Sequence, residues 1–212
     1  LELELPVSQQ DSLKADSTKE LFSNLSPDMI AVVAYGKIIP RWLIDLPLRG
    51  VVNVHGSLLP KYRGAAPVNW AIVRGESITG VCTMQIDEGL DTGPVYQCHE
   101  TAIDPEENAV DLAARLADIG AALLVTTVEG IDHGTIHPTP QDHEAATLAP
   151  MMKKGDGALN WNETAAAIHN KVRAFVPWPS ALVRFRGKPC KILRCRLGEE
   201  AENKSSPGTI IC

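Results

Sequence analysis

The sequence predicts an α/β protein with an open, partly parallel sheet. Asp28–Ala34 is apolar after its first residue and is bounded by proline and glycine, which is typical of a buried parallel strand. Gly50–His55 is a second strand-like run rich in valine. Asn108–Gly130 carries apolar residues at helical spacing and is the longest predicted helix, with Gly130 as its stop. Strands that alternate with helices in this way indicate the α/β class.

The remaining elements are predicted from the same periodicities and from turn residues. In chain order they are a strand at Leu1–Val7, helices at Asp16–Leu25, Pro40–Leu46 and Ala66–Arg74, β runs at Thr79–Ile86 and Gly93–Thr101, a helix at Ala165–Phe175, strands at Leu182–Phe185 and Cys190–Leu197, and the start of a strand at Thr209–Cys212. We expect the β runs at 79–86 and 93–101 to pair antiparallel at one side of the sheet, and residues 186–189 to form a hairpin turn.

A loss of periodicity divides the chain into two units. Between Asp132 and Ala149 Pro, Gly, His and Asp accumulate, as in a linker. We therefore predict a first domain at 1–134, a linker at 135–152 and a second domain at 153–212. The chain starts without Met and stops in a strand-like run, so we expect both domains to be incomplete in this sequence.

Composition excludes several classes of protein. The hydrophobic fraction of 44% and the charged fraction of 22% are ordinary for a globular protein. No apolar run approaches the roughly 18–20 residues that cross a membrane, and the N-terminus does not resemble a signal peptide. The five cysteines are irregularly spaced, which argues against a disulfide framework and a zinc site and favours a reducing compartment. The histidines form no ligand cluster, so we expect no metal.

Positive charge is concentrated near the C-terminus. The net charge is −6, but residues 171–196 contain eight cations and no carboxylate, which leaves −14 on the remainder. This asymmetry is what a nucleic-acid-facing patch on an acidic enzyme would show, and an ordinary solvated face is the alternative. The eight are Lys171, Arg173, Arg184, Arg186, Lys188, Lys191, Arg194 and Arg196.

Two polar residues mark the end of the predicted strand at 50–55. Side chains alternate along a strand, so Asn53 and His55 share a face while Val54 points away. Open α/β sheets bind ligands outside the carboxyl ends of their strands, where this pair is expected. The alternative is a turn in which Asn caps the backbone and His is half-buried.

A carboxylate in a second segment strengthens the functional interpretation. Asp91 lies in Gly89–Gly93, a glycine-bracketed loop after the β run at 79–86. Alone it would be a turn former, but a histidine that transfers protons needs a carboxylate to orient it. Asn53, His55 and Asp91 together form a plausible set of donor, acid/base and orienter.

Three motifs carry a family resemblance that spans nearly the whole chain. The stretches NVHGSLLPKYRGAAPVNWAI (53–72), TGVCTMQIDEGLDTG (79–93) and VRAFVPWP (172–179) resemble the folate-dependent formyltransferases, and among them those that act on methionyl-tRNA. The resemblance implies a Rossmann-like formyltransferase domain that lacks its first strands here, followed by the start of an OB-like β-barrel that helps to hold tRNA.

The resemblance also implies the chemistry. It places the catalytic set on Asn53, His55 and Asp91, and the tetrahydrofolate-binding stretch on Ser57, Leu58, Leu59 and Pro60. The expected activity moves a formyl group from 10-formyltetrahydrofolate, a cosubstrate, to the α-amino group of methionyl-initiator-tRNA, without a metal. A monomeric, cytoplasmic protein of bacterial type is expected, with no membrane partner.

Other members of the family remain as alternatives. Formyltransferases for glycinamide ribonucleotide or an amino sugar nucleotide, and formyltetrahydrofolate hydrolases, share the Asn-His-Asp set. The GLDTG loop and the basic segment together favour the tRNA enzymes. An inactive folate- or RNA-binding fragment is the alternative outside enzymes. Lys61 and Arg63 follow the site directly, and either contact tRNA phosphate or are solvated loop cations.

Overall fold

The computed structural model describes residues 5–198 and 205–210. A four-stranded mixed sheet forms the larger unit, and its strand order is β1 (Ile30–Val33), β2 (Val51–His55), β3 (Ile78–Gln85) and β4 (Val95–Ala102). A two-stranded antiparallel sheet of β5 (Ala181–Phe185) and β6 (Lys188–Ile192) lies in the C-terminal part. The first pair, β1 and β2, is parallel, and the next two pairs are antiparallel. This architecture confirms the α/β class. No helix among the described residues is long and apolar enough to cross a membrane.

The elements match most of the predicted ones to within a few residues. They are α1 (Asp16–Leu25), β1 (Ile30–Val33), α2 (Arg41–Ile44), β2 (Val51–His55), α3 (Pro67–Val73), β3 (Ile78–Gln85), β4 (Val95–Ala102), α4 (Ala109–Asp132), a 3₁₀ turn (Lys154–Gly157), α5 (Ala165–Ala174), β5 (Ala181–Phe185) and β6 (Lys188–Ile192). The predicted antiparallel pairing of the two β runs before α4 is confirmed as β3 and β4.

Helix α4 covers one face of the sheet and leaves the other for the site. A Cβ on Gly120 of α4 would lie 2.9 Å from Val54 Cγ1 and 3.3 Å from Val81 Cγ1, so the helix backbone packs directly on this face. Because side chains alternate, Asn53 and His55 are on the opposite face. The Asn108 side chain caps α4 by accepting hydrogen bonds from two backbone amides of its first turn.

The C-terminal part packs against α3 and the start of α4. Asn69 Nδ2 donates to the carbonyl of Ala174, 2.7 Å away, and so joins α3 to α5. Arg173 donates to the carbonyls of Asp104 and Glu107 just before α4. Its guanidinium therefore connects the two parts of the chain, and burial lowers the pKa of Arg173.

Three predicted strand positions are wrong or lie outside the described residues. Of Leu1–Val7, residues 5–7 carry no regular structure and residues 1–4 are not described. Of Thr209–Cys212, Thr209 and Ile210 are not in a strand, and the last two residues are not described. Strand β6 runs over 188–192 instead of 190–197, because the hairpin turn is only Arg186 and Gly187, both at positive φ (50° and 77°). Such two-residue turns match the twist of paired strands.

Two further expectations need correction. Helix α4 continues two residues past Gly130, since the left-handed residue that follows its end is Gly134 (φ 67°). The cysteine spacing argued against a disulfide, but Cys82 and Cys98 form one. The two are directly opposed on β3 and β4, where neighbouring Cβ atoms come close enough to bridge. Spacing along the chain did not show this register.

Candidate active site

The structure brings His55 and Asp91 together at the end of β2. His55 Nδ1 lies 3.7 Å from Asp91 Oδ2, and the imidazole is 5% exposed. The distance is too long for a hydrogen bond, so the contact is electrostatic. Strand β2 delivers His55, while the loop after β3 carries Asp91 back across the strand end.

The other ring nitrogen of His55 determines which atom can exchange a proton. His55 Nε2 lies 2.9 Å from the carbonyl oxygen of Tyr62. A carbonyl only accepts hydrogen bonds, so Nε2 carries the hydrogen and donates it. In the neutral ring the lone pair is then on Nδ1, the atom that faces Asp91. Proton transfer through this imidazole therefore uses Nδ1, next to the carboxylate.

The segment Tyr62–Gly64 holds both members of the pair. Tyr62 binds His55 through its carbonyl, and the Gly64 N–H donates to Asp91 Oδ2 at 2.8 Å. Gly64 has a φ of 119°, and a Cβ there would lie 2.7 Å from the carbonyl oxygen of Ala149. Glycine is required at this position for both reasons. The Y-R-G sequence after Pro60 therefore contributes main-chain groups to the site, and no side-chain pattern in the sequence indicates this.

Asn53 supplies a free amide two residues before His55. It pairs with Val32 and Met84 in the sheet and is partly exposed on the same face as the imidazole. Its side chain makes no hydrogen bond within the described ranges, so both donors remain available for a ligand oxygen.

The stretch Ser57–Pro60 follows His55 and Gly56 and forms a turn that packs on the sheet. Ser57 is fully buried and its hydroxyl donates to the Lys61 carbonyl at 2.6 Å, which closes the turn from within. Leu58, Leu59 and Pro60 are half-buried and so leave part of their apolar surface accessible. A Cβ on Gly80 of β3 would meet Leu58 Cδ2 at 2.5 Å, so the stretch packs closely on the sheet.

Arg63 was expected either to contact tRNA phosphate or to be a solvated loop cation, and the structure shows it buried instead. It is only 6% exposed, and its Nε and Nη2 donate to Gln141 Oε1 at 3.1 and 2.7 Å. Nη2 also lies 3.2 Å from His143 Nδ1. Arg63 is therefore neither a phosphate ligand nor a solvated cation, whereas Lys61 is exposed.

The segment predicted as a linker packs against the site. Thr139 exchanges backbone hydrogen bonds with Val95, and Thr147 accepts the Tyr62 N–H through its hydroxyl. Gln141 donates to the carbonyls of Asp91 and Gly93. No periodicity marks these residues, so sequence reasoning had no signal for them.

Burial also affects Tyr62, whose phenol lies behind the site. Its hydroxyl donates to Glu76 Oε1 at 2.6 Å, and the Arg74 guanidinium is 5.1 Å from the ring centre. Burial, and then the bond to Glu76, raise the pKa of Tyr62 to about 12. The phenol is therefore a neutral donor that anchors the loop.

The basic segment divides into a partly buried portion and an exposed portion. Lys171 pairs with Glu163 at 2.6 Å, and Arg173 serves the contact between the two parts of the chain. The six cations on or after β5 are exposed: Arg184, Arg186, Lys188, Lys191, Arg194 and Arg196. In the part of the chain that the structure describes, no cluster of His, Cys, Asp or Glu could hold a metal ion.

Comparison with solved structures finds the same fold in other proteins. HypX from Aquifex aeolicus in complex with tetrahydrofolic acid aligns with a TM-score of 0.73 at 22% identity, over 91% of this chain and 33% of that one. A Mycobacterium tuberculosis protein described as a likely sugar N-formyltransferase aligns with a TM-score of 0.72 at 25% identity, over 93% and 86% of the two chains.

Sequence comparison is more specific. Residues 4–128 match the family model Formyl transferase, and residues 151–212 match Formyl transferase, C-terminal domain. A methionyl-tRNA formyltransferase from Solibacter usitatus is 48% identical over 100% of this chain and 68% of its own length. One from Koribacter versatilis is 51% identical over 89% and 61%. The chain thus spans about two thirds of the length of the curated relatives it matches. It belongs to the formyl transferase family.

Proposed function

We propose that this protein transfers a formyl group from 10-formyltetrahydrofolate to the α-amino group of methionyl-initiator-tRNA. The observation that carries the proposal is the carboxylate of Asp91 beside Nδ1 of His55, at the end of a strand whose Asn53 amide has no hydrogen-bond partner among the described residues. Curated relatives at 41–51% identity, each a methionyl-tRNA formyltransferase, support this acceptor over others.

Each of the three side chains has a chemical role in the proposal. The amine nitrogen bonds to the formyl carbon, the bond from that carbon to N10 breaks, and one proton passes from the amine to the leaving nitrogen. Asn53 donates a hydrogen bond to the formyl oxygen as negative charge develops on it, an effect typically worth about 10²–10³ in rate. His55 moves the proton through Nδ1, and Asp91 orients the ring and stabilises its charged form.

The residues around the pair fit a folate cosubstrate. Half-buried Leu58, Leu59 and Pro60 present apolar atoms that can pack against a flat ring system, and buried Ser57 supports their turn from within. Bound 10-formyltetrahydrofolate supplies an activated formyl group. The chain itself contributes this apolar surface, the amide donor and the proton path.

The exposed cations of the C-terminal part are proposed to bind tRNA. The hairpin β5–β6 carries four of the six, with no acidic residue in either strand. Phosphate neutralisation by such residues provides affinity that falls with salt. We propose domain boundaries at 134 and 152, with catalysis before them and an OB-like tRNA-binding unit after them. We also propose that the protein is a monomer and that it acts in the cytoplasm, the compartment in which initiator tRNA is charged and used.

An acceptor assay tests the proposal directly. Protein from the complete reading frame that encodes this chain is incubated with 10-formyltetrahydrofolate and, separately, with methionyl-initiator-tRNA, an amino sugar nucleotide, glycinamide ribonucleotide or water alone. We expect formylation of the charged tRNA at a kcat/KM at least about 100-fold above the others. Equal or greater transfer to another acceptor, or hydrolysis alone, would contradict the proposed substrate. Folate or tRNA binding without any transfer would indicate a binding protein.

A further inference from the structure

We propose that Gln141 is a positioning residue that holds Asp91 in its working conformation, and that buried Arg63 orients Gln141 for this purpose. The kinetic part of the inference rests on the proposed function. The structural part concerns the geometry of the catalytic pair and is independent of the substrate.

The backbone at Asp91 needs external support. Asp91 has a φ of 51°, in the left-handed region that residues other than glycine adopt uncommonly. Such conformations persist where the surroundings hold them. The side chain is held by the Gly64 N–H, which fixes one carboxylate oxygen but leaves the peptide groups of the loop to other partners.

Gln141 supplies those partners. Its Nε2 donates to the carbonyl of Asp91 at 2.9 Å and to that of Gly93 at 2.6 Å. One amide group thus clamps the carbonyls on both sides of Thr92 and fixes the turn that aims Asp91 at His55. A rotation of this turn would move a carboxylate that already lies 3.7 Å from the imidazole.

Arg63 determines which way the Gln141 amide points. A guanidinium has only donors, so the oxygen of Gln141 must face it and the NH₂ group must face the two carbonyls. Arg63 is buried, and no carboxylate pairs with it among residues 5–198 and 205–210. Burying a cation without a carboxylate is costly, and an apolar side chain would fill the space at less cost. The guanidinium nevertheless makes a contact that an apolar side chain could not, because its Nε and Nη2 both donate to the side-chain oxygen of Gln141.

A pair of substitutions separates positioning from simple packing. Gln141→Glu keeps an acceptor for Arg63 and strengthens that pairing, but places a carboxylate without donors against the carbonyls of Asp91 and Gly93. Gln141→Met keeps the length and loses both interactions. Thr127→Val is the matched control, since Thr127 is fully buried and its hydroxyl bonds Thr83 and Leu123 on the opposite face of the sheet.

We expect Gln141→Glu and Gln141→Met each to lower kcat by about 10- to 100-fold, because misplacing a catalytic group by about 1 Å has effects of this size. KM for methionyl-tRNA and for 10-formyltetrahydrofolate should stay within about threefold of wild type, since Gln141 is not proposed to contact either. Thr127→Val should lower the free energy of unfolding in urea while kcat stays within about twofold. Lysine lacks the forked pair of donors, so we expect the kcat of Arg63→Lys to lie between those of wild type and Gln141→Glu.

A measurement on the ligand-free protein decides the structural part. The ¹H–¹⁵N resonance of the His55 ring, whose Nε2–H binds the Tyr62 carbonyl, should move in Gln141→Glu and stay in place in Thr127→Val. Wild-type kcat retained in Gln141→Glu, or an unmoved His55 resonance, would overturn the inference. If wild type transfers no formyl group but the resonance still moves, the proposed function fails while the positioning role stands. If Gln141→Met does not fold, Gln141→Glu and Arg63→Lys decide alone.

Discussion

Neutralising Asp91 is the most direct perturbation of the site. Asp91→Asn keeps an oxygen that can accept the Gly64 N–H, so the loop is retained while the negative charge is lost. At 3.7 Å, and with an effective dielectric constant of about 20, a charged imidazole and this carboxylate attract by about 4–5 kcal/mol. Asp91 is partly exposed, so solvent screening reduces this attraction to about half. Since 1.36 kcal/mol corresponds to tenfold in rate, we expect kcat to fall by about 30- to 70-fold.

The measurement is single-turnover formylation of methionyl-initiator-tRNA at saturating 10-formyltetrahydrofolate, which separates chemistry from product release. Asp87→Asn is the control, because it removes the same charge from the same loop. Asp87 binds the Gly89 N–H and the Thr92 hydroxyl and makes no contact with His55. We expect the control to stay within about threefold of wild type. A rate for Asp91→Asn within threefold of wild type, or an equal loss in both variants, would refute the electrostatic role of Asp91.

Three further outcomes follow from the described contacts. The pKa of Tyr62 is raised to about 12, so the neutral phenol stabilises the fold below its ordinary pKa of 10, and this stabilisation is lost as pH rises from 10 to 12. The free energy of unfolding should therefore fall more between about pH 10 and 12 in wild type than in Tyr62→Phe, and equal slopes would contradict this. Charge reversal at Arg184, Arg186 and Lys188 of the hairpin should weaken tRNA binding. The slope of log K for tRNA binding against log salt concentration should become shallower by about one unit per lost phosphate contact, and an unchanged slope would mean that the hairpin does not face tRNA. Peptide mapping without reductant should recover Cys82 linked to Cys98, and free thiols at both would contradict the pairing.

Local patterns were enough for the elements that carry the site. The apolar run before Gly36 and the valine-rich run before Gly56 were recognisable as strands from their β-branched residues, and the two pair in parallel. The prediction that the first of them is buried is wrong, because β1 is at the edge of the described sheet and Ala31 and Val33 are exposed. Alternation placed Asn53 and His55 on one face, and α4 is found on the other. Two other wrong predictions are the bounds of β6, which depend on the length of the Arg186-Gly187 turn, and the absence of a disulfide, which depends on Cys82 lying opposite Cys98. Both depend on which residues meet across paired strands.

The sequence by itself determined the class of fold, the family and the three side chains offered for catalysis, because strand periodicity, glycine-bracketed loops and motif order are properties of neighbouring residues. Only the tertiary structure decided how those side chains are held. The carbonyl of Tyr62, the amide of Gly64 and the side chain of Gln141 reach His55 and Asp91 from segments up to 50 positions away. Main-chain groups look alike in every sequence, and a guanidinium buried against an amide looks like a surface cation until the chain folds around it.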